Sequence, residues 1–235
     1  MNVDKVGNGL GKEGAAGMIG RRAMAIGFAC VIAAEAVLGP AGARAQGAAT
    51  LTTRDRDDLA RIETYLNGLR TLKARFLQVA PDGHVTEGTA WLERPGRMRF
   101  QYEPPAPFLL VASRGVLVFD DSALKQTSSI PLSRTPLGIL LADRVTLSGE
   151  ITVTGIRRLP GELEIDVTRT SSPGEGALTL QFTDGPLALR QWTVRDAQRR
   201  ETRVTLYNVE IGAKFDPKLF DDLPAQRQAA PGGGG

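Results

Sequence analysis

Between Thr53 and Leu69 the apolar positions recur every three or four residues. Leu59, Ile62, Leu66 and Leu69 form one stripe, the mark of an amphipathic helix. Thr53-Arg54-Asp55-Arg56-Asp57-Asp58 opens it. A threonine caps free N–H groups there, and the aspartates suit the positive end of the helix dipole. Gly68 marks its end. Asp55, Asp57 and Asp58 are read as capping residues rather than a metal site, because no second acidic cluster is tied to them by motif spacing. From Thr71 the period falls to two. Leu72, Ala74 and Phe76 alternate with Lys73 and Arg75, and Pro81-Asp82-Gly83-His84 makes a turn. Val85 to Arg94 is a second strand, closed by Pro95-Gly96. A third alternates Met98, Phe100 and Tyr102 with Arg97, Arg99 and Gln101. Phe108–Ala112 and Val116–Phe119 flank Arg114-Gly115 as a hairpin, and Leu124–Ile130 is a further strand.

The alternation breaks over Pro131–Leu141, where Leu132, Leu137, Ile139, Leu140 and Leu141 accompany two prolines. Pro136 suits the first turn of a short helix. Strands are expected again near 144–154, 162–170, 177–183, 187–195 and 201–211, punctuated by Pro160-Gly161, Ser172-Pro173-Gly174, Asp184-Gly185-Pro186 and Asp196-Ala197. Consecutive strands joined by short turns pair antiparallel. About ten strands with one long and one short helix exclude a parallel α/β fold. The pattern predicts a mainly β protein: an unclosed antiparallel β-barrel, or strongly curved sheet, with a helical lid.

The ends read differently. Arg21-Arg22, the apolar run Ala23–Leu38 and Ala43-Arg44-Ala45 form the basic, apolar and cleavage regions of a signal peptide, with cleavage after Ala45. Residues 1–45 are assigned to that signal, with Met18 an alternative start; residues 46–225 form the domain and 226–235 a disordered Gly-rich tail. Cys30 lies in a poor lipobox and is read as part of the discarded signal. Without residues 1–45 the chain has 24 Lys/Arg and 23 Asp/Glu, a net charge of +1. That balance argues against a nucleic-acid partner held by phosphate contacts.

The catalytic inventory is small. With Cys30 the single cysteine and His84 the single histidine, an internal disulfide framework, a thiolate zinc cluster and a His-rich metal centre are ruled out and little room is left for a Ser–His–Asp site. Ser122-Ala123-Leu124-Lys125 matches S-x-x-K, but its partner motifs are absent and it follows a tight turn. No P-loop, no G-x-G-x-x-G following a strand and no G-x-S-x-G elbow is present. Asp120-Asp121 and Asp221-Asp222 are adjacent carboxylates that point apart, as turn residues do. Arg195, Arg199, Arg200 and Arg203 are read as a solvated face.

The stretch Leu92-Glu93-Arg94-Pro95-Gly96-Arg97-Met98-Arg99-Phe100-Gln101-Tyr102-Glu103-Pro104-Pro105 resembles the LolA family, periplasmic carriers of outer-membrane lipoproteins. Phe76-Leu77-Gln78, the Gly115 turn with Val118-Phe119-Asp120, and Lys214-Phe215-Asp216-Pro217 support the resemblance across residues 50–220. The resemblance implies an unclosed β-barrel with an apolar cavity under helices. It implies that Arg94 hydrogen-bonds to the lid and gates it, and that Pro131–Leu141 is the lid, with Leu137, Ile139, Leu140 and Leu141 facing inward. Strand alternation places Leu92, Arg94, Met98, Phe100 and Tyr102 on the concave side, where core and acyl-chain cavity are compatible roles. Met98 stands where the family commonly has an aromatic residue. The implied function is non-enzymatic and needs no cofactor: a monomeric chaperone that carries acylated lipoproteins through the periplasm. Its implied partners are those lipoproteins or lipids, an inner-membrane lipoprotein-releasing ABC transporter and an outer-membrane acceptor. Two other classes fit the same scaffold: a lipid- or lipoprotein-sensing binding protein, and a secreted hydrolase using a carboxylate pair.

Overall fold

A computed structural model describes residues 51–221. The signal peptide with its Ala45 cleavage site, Met18, Cys30 and the tail after residue 225 lie outside the described residues. Helix α1 spans Thr53–Gly68. Its cap is Thr52, one residue before the expected start. The Asp55 N–H donates to Thr52 Oγ1 at 3.2 Å, and the Thr52 N–H donates back to Asp55 Oδ2 at 2.8 Å, a reciprocal capping box. The eleven strands are β1 (Thr71–Val79), β2 (Val85–Glu93), β3 (Arg97–Tyr102), β4 (Phe108–Ser113), β5 (Val116–Asp121), β6 (Gln126–Pro131), β7 (Ile151–Leu159), β8 (Glu162–Arg169), β9 (Gly176–Asp184), β10 (Leu187–Asp196) and β11 (Glu201–Ile211). A 3-10 turn over Leu132–Arg134 and helix α2, Leu137–Leu140, lie between β6 and β7. A last 3-10 turn covers Pro217–Phe220.

All eleven strands form one curved, unclosed antiparallel sheet in the order β6-β5-β4-β3-β2-β1-β11-β10-β9-β8-β7. Two meanders thus meet where β1 pairs with β11. The edges, β6 and β7, are consecutive in the chain, so the segment joining them spans the open seam. Bulges at Lys73/Arg75, Leu189/Gln191 and Val153/Gly155 add local twist and bend the sheet.

Register explains the concave face. Leu72 opposes Leu92, which opposes Met98, which opposes Ala112. Because side chains alternate across a strand, every member of such a row shares one face. With Leu59, Ile62 and Leu66 of α1 and Leu137, Ile139, Leu140 and Leu141 of the lid, these rows form a single buried cluster. Phe76 opposes Gly88, where a Cβ would stand 2.1 Å from the Gln101 carbonyl oxygen and 2.7 Å from the Phe76 ring. Only glycine lets that ring lie across β2.

One expectation is corrected. Residues 144–150 are not strand; the strand starts at Ile151. Val145 and Leu147 alternate with polar residues and are buried, as in a strand. Their backbones, however, are satisfied by α1 side chains rather than by a neighbouring strand. Apart from this, β3 and β4 bury both faces. Arg99, Val111 and Val118 lie on the convex side and are buried, with Phe220 at 0% exposure beside them. The Arg99 Nη1 donates to the Leu219 carbonyl at 3.1 Å, tying the last 3-10 turn onto that face.

Candidate functional site

The site is built where the turn after β2 meets the ends of both helices. Arg94 follows the strand directly and is 7% exposed. Its Nε donates to the Ala142 carbonyl at 2.8 Å and its Nη2 to the same oxygen at 2.6 Å. The Nη2 also donates to the Asp143 carbonyl at 3.2 Å. On its other edge, Nη1 donates to the carbonyls of Leu66 and Leu69 at the end of α1. The Leu66 oxygen also accepts from the Leu69 N–H at 3.2 Å, the carbonyls at a helix end keep free acceptor capacity, and a cation there meets the negative end of the dipole. One planar fork therefore holds the C-terminal ends of α1 and the lid together. Burial, and then the nearby Arg70 guanidinium, pull the Arg94 pKa below the ordinary arginine value, while Asp143 pulls it back up. An arginine keeps its charge through such a shift.

Further polar ties join α1 and the β2–β3 turn to the end of the lid and the residues that follow it. Asn67 Nδ2 donates to the Val145 carbonyl at 2.9 Å, and the Val145 N–H donates to Asn67 Oδ1 at 2.9 Å. The Leu147 N–H donates to Glu63. Arg70 pairs with Asp143 at 3.0 Å, and the Gly96 N–H donates to the Leu141 carbonyl at 2.9 Å. On its far side α1 is held by Arg158, whose guanidinium meets Asp55 and Asp58, each at 2.7 Å. The Asp55 carboxyl is lowered to about 2, chiefly by the Thr52 backbone N–H and then by Arg158. Thus Asp55 caps as expected, but Asp58 is a docking residue. Asp57 is exposed.

Beneath this cap, Leu92, Met98, Phe100 and Tyr102 are between 0% and 8% exposed. Phe119, Phe108, Tyr102, Phe76, Phe100 and Trp192 form a continuous chain of ring contacts, with neighbouring centroids 4.6 to 5.9 Å apart. Tyr102 places its hydroxyl 2.8 Å from Gln78 Oε1, so even the polar tip is satisfied in the face. The concave face is packed against α1 and the segment after β6, whose Leu137, Ile139, Leu140 and Leu141 are all buried. Met98 lies at its centre, at 0% exposure.

The remaining chemical candidates are structural. Ser122 Oγ donates to the Pro107 carbonyl, and Lys125 adopts a positive φ of 52° in the β5–β6 turn. Asp121 Oδ1 accepts from the N–H groups of Ala123 and Leu124, while Asp120 accepts from Thr127. His84 is exposed. Arg195 and Arg200 pair with Glu201 and Asp196. Among the described residues no cluster of His, Cys, Asp or Glu has the geometry of a metal site. No described helix is long and apolar enough to cross a membrane. Sequence reasoning missed Asn67, Glu63, Arg158 and Trp192. None carries a motif; each is defined by what lies across the fold from it.

An antiparallel sheet left open at one seam, with a helical cap pinned over its apolar face by a rim arginine, defines a capped open-barrel scaffold. Residues 67–222 match the family described as outer membrane lipoprotein carrier protein LolA, and the chain belongs to that family. The outer-membrane lipoprotein carrier protein of Methylococcus capsulatus is 29% identical over 174 residues, covering 70% of this chain and 83% of the relative. That of Pseudomonas aeruginosa is 27% identical over 195 residues, covering 77% and 91%. Among solved structures, a LolA superfamily protein from Nitrosomonas europaea is similar with a TM-score of 0.40 and 9% identity, covering 69% of this chain and 96% of its own.

Proposed function

We propose that this chain is a periplasmic carrier that shields the acyl chains of lipoproteins on its concave face during transit from the inner to the outer membrane. The observation that carries the reading is Arg94. A single guanidinium bonds the backbone ends of two helices that together cover a large apolar and aromatic face. Such a cap is held at its rim by a few breakable polar bonds. Lifting it exposes Leu92, Met98, Phe100 and Tyr102 to cargo, and Arg94 is then the gate. Met98 is flexible and polarizable, so the face adapts to chains of different shape.

The energetics suit the task. Each acyl CH₂ kept from water contributes about 0.8 kcal/mol, so one fatty chain opposes crossing water by on the order of 10 kcal/mol. Transfer requires burial and release, not bond-making, so no catalytic group or cofactor enters this reading. The donor in this scheme is an inner-membrane lipoprotein-releasing ABC transporter and the recipient an outer-membrane acceptor, with the carrier a monomer exported by cleavage after Ala45. The relatives' name, outer-membrane lipoprotein carrier protein, supports the cargo class.

The test is direct. An environment-sensitive hydrophobic dye is expected to bind the purified protein and to be displaced by a triacylated peptide, but not by the same peptide without its acyl groups. Equal displacement by both peptides, or by neither, overturns the reading.

A further inference from the structure

Where the lid runs into β7 the molecule encloses a cleft of about 320 Å³. Ile139, Ala142, Val145 and Ile151 give it an aliphatic lining, and Arg144 and Arg169 give it charge. Arg169 is the last residue of β8 and opposes Ile151, which puts it on the concave side at the seam. Its guanidinium rests against the lid. A Cβ at Gly138 would stand 2.7 Å from Arg169 Nη2, so glycine is what allows the two to meet.

Arg169 differs from Arg94, Arg157 and Arg158, each of which donates to several oxygens. The Arg169 Nε is buried without a hydrogen-bond partner. Among the described residues neither Arg169 nor Arg144 is ion-paired; Glu150, which also lines the cleft, is exposed and pairs with neither. A guanidinium donor taken from water without an acceptor is costly, and such groups call for an explanation. An oxyanion, whose two oxygens match the planar fork of an arginine, is the acceptor chemistry that suits such a group. The two arginines and Glu150 give the cleft a net positive charge of +1, suited to an anion. The aliphatic lining suits a hydrocarbon stem behind that charge, and the volume lies in the lower range of small-ligand pockets.

We propose that this cleft is a binding site for an oxyanion, phosphate or carboxylate, borne on an aliphatic chain, with Arg169 as its principal ligand and Arg144 as its second. The site adjoins the buried apolar cluster through Ile139 and Val145, but its lining includes none of Leu92, Met98, Phe100 and Tyr102, and it does not depend on the carrier reading.

The full chain is titrated with octyl phosphate, 1-octanol and inorganic phosphate, using calorimetry for affinity and the amide resonances of Gly138 and Ile151 for location. Octyl phosphate is expected to bind at least about tenfold more tightly than 1-octanol and to shift both amides. Arg169→Gln is expected to remove that advantage, since one charge-assisted bond is worth roughly a tenfold or larger factor. Arg169→Lys keeps charge without the fork and is expected to fall between. If octyl phosphate binds and inorganic phosphate competes only at much higher concentrations, the chain-borne oxyanion is supported; if inorganic phosphate competes at similar concentrations, the aliphatic stem contributes nothing and the proposal is overturned. Equal binding of octyl phosphate and 1-octanol by the unsubstituted protein overturns it, as does full affinity in a folded Arg169→Gln variant. If that variant unfolds, Arg169→Lys and Arg144→Gln decide, and unchanged affinity in both overturns the proposal. Triacylated-peptide displacement, followed in parallel, keeps failure of this site separate from failure of the carrier reading.

Discussion

Replacing Arg94 by leucine removes the fork that joins the rim to the cap while keeping the position apolar. On the lid side the fork makes two bonds to the Ala142 carbonyl, at 2.8 and 2.6 Å, and one to that of Asp143 at 3.2 Å. Charge-assisted bonds are worth about 1.5–3 kcal/mol net, and two that share one oxygen do not add fully. The lid side is then worth on the order of 3 kcal/mol. At 1.4 kcal/mol per factor of ten, loss of these bonds raises the population of opened cap on the order of a hundredfold. The Gly96–Leu141 and Asn67–Val145 bonds remain, so the cap still docks and the sheet still folds. Hydrogen exchange reads this directly: the amides of Gly138, Leu141 and Ala142 are expected to exchange about a hundredfold faster, while those of Phe100 and Leu180 in the sheet keep their protection. If cargo binds only the opened form, its apparent affinity rises toward the same factor, because closure no longer competes with it. Release to an acceptor then slows. A folded Arg94→Leu protein with lid amides exchanging at the original rate would show that Arg94 is not the tie, and the gating scheme would fall with it.

Other perturbations probe the supports of the cap. Asn67→Ala strands the N–H and C=O of buried Val145, at an expected cost of about 2–3 kcal/mol, read as a lowered urea midpoint and faster exchange at Val145. The Asp55 carboxyl, at about 2 in the folded protein against an ordinary value near ~3.9, stabilises the fold above that ordinary value. This contribution is lost as pH falls through about 2, so Asp55→Asn is expected to flatten the acid limb of a stability–pH curve between those values. Gly88→Ala drives a methyl into the Gln101 carbonyl and the Phe76 ring and is expected to destabilise by about 3 kcal/mol. A thermal melt within a degree of the unsubstituted protein would refute that packing.

Most of the framework follows from local sequence, because helix and strand periods are properties of consecutive residues. The stripe Leu59-Ile62-Leu66 is α1, the alternation of Met98, Phe100 and Tyr102 is β3, and glycine and proline mark the turns. Arg94 was legible as a site residue only through its resemblance to a family motif; its spacing alone reads as a charge beside a turn. Three features were decided by tertiary structure. Val145 and Leu147 have the alternation of a strand and lie in a loop, because Asn67 and Glu63 satisfy their backbones from 78 and 84 residues away. Arg99 has the position of a solvated residue and is buried, because the Pro217–Phe220 turn covers the convex face of β3 and β4. Asp58 sits in an acidic helix start and becomes a docking residue, because β7 brings Arg158 to it across 100 residues. A hydrophobic period fixes which residues share a face. Which element covers that face, and which distant side chain completes an unpaired backbone group, depends on long-range pairing that no local window contains.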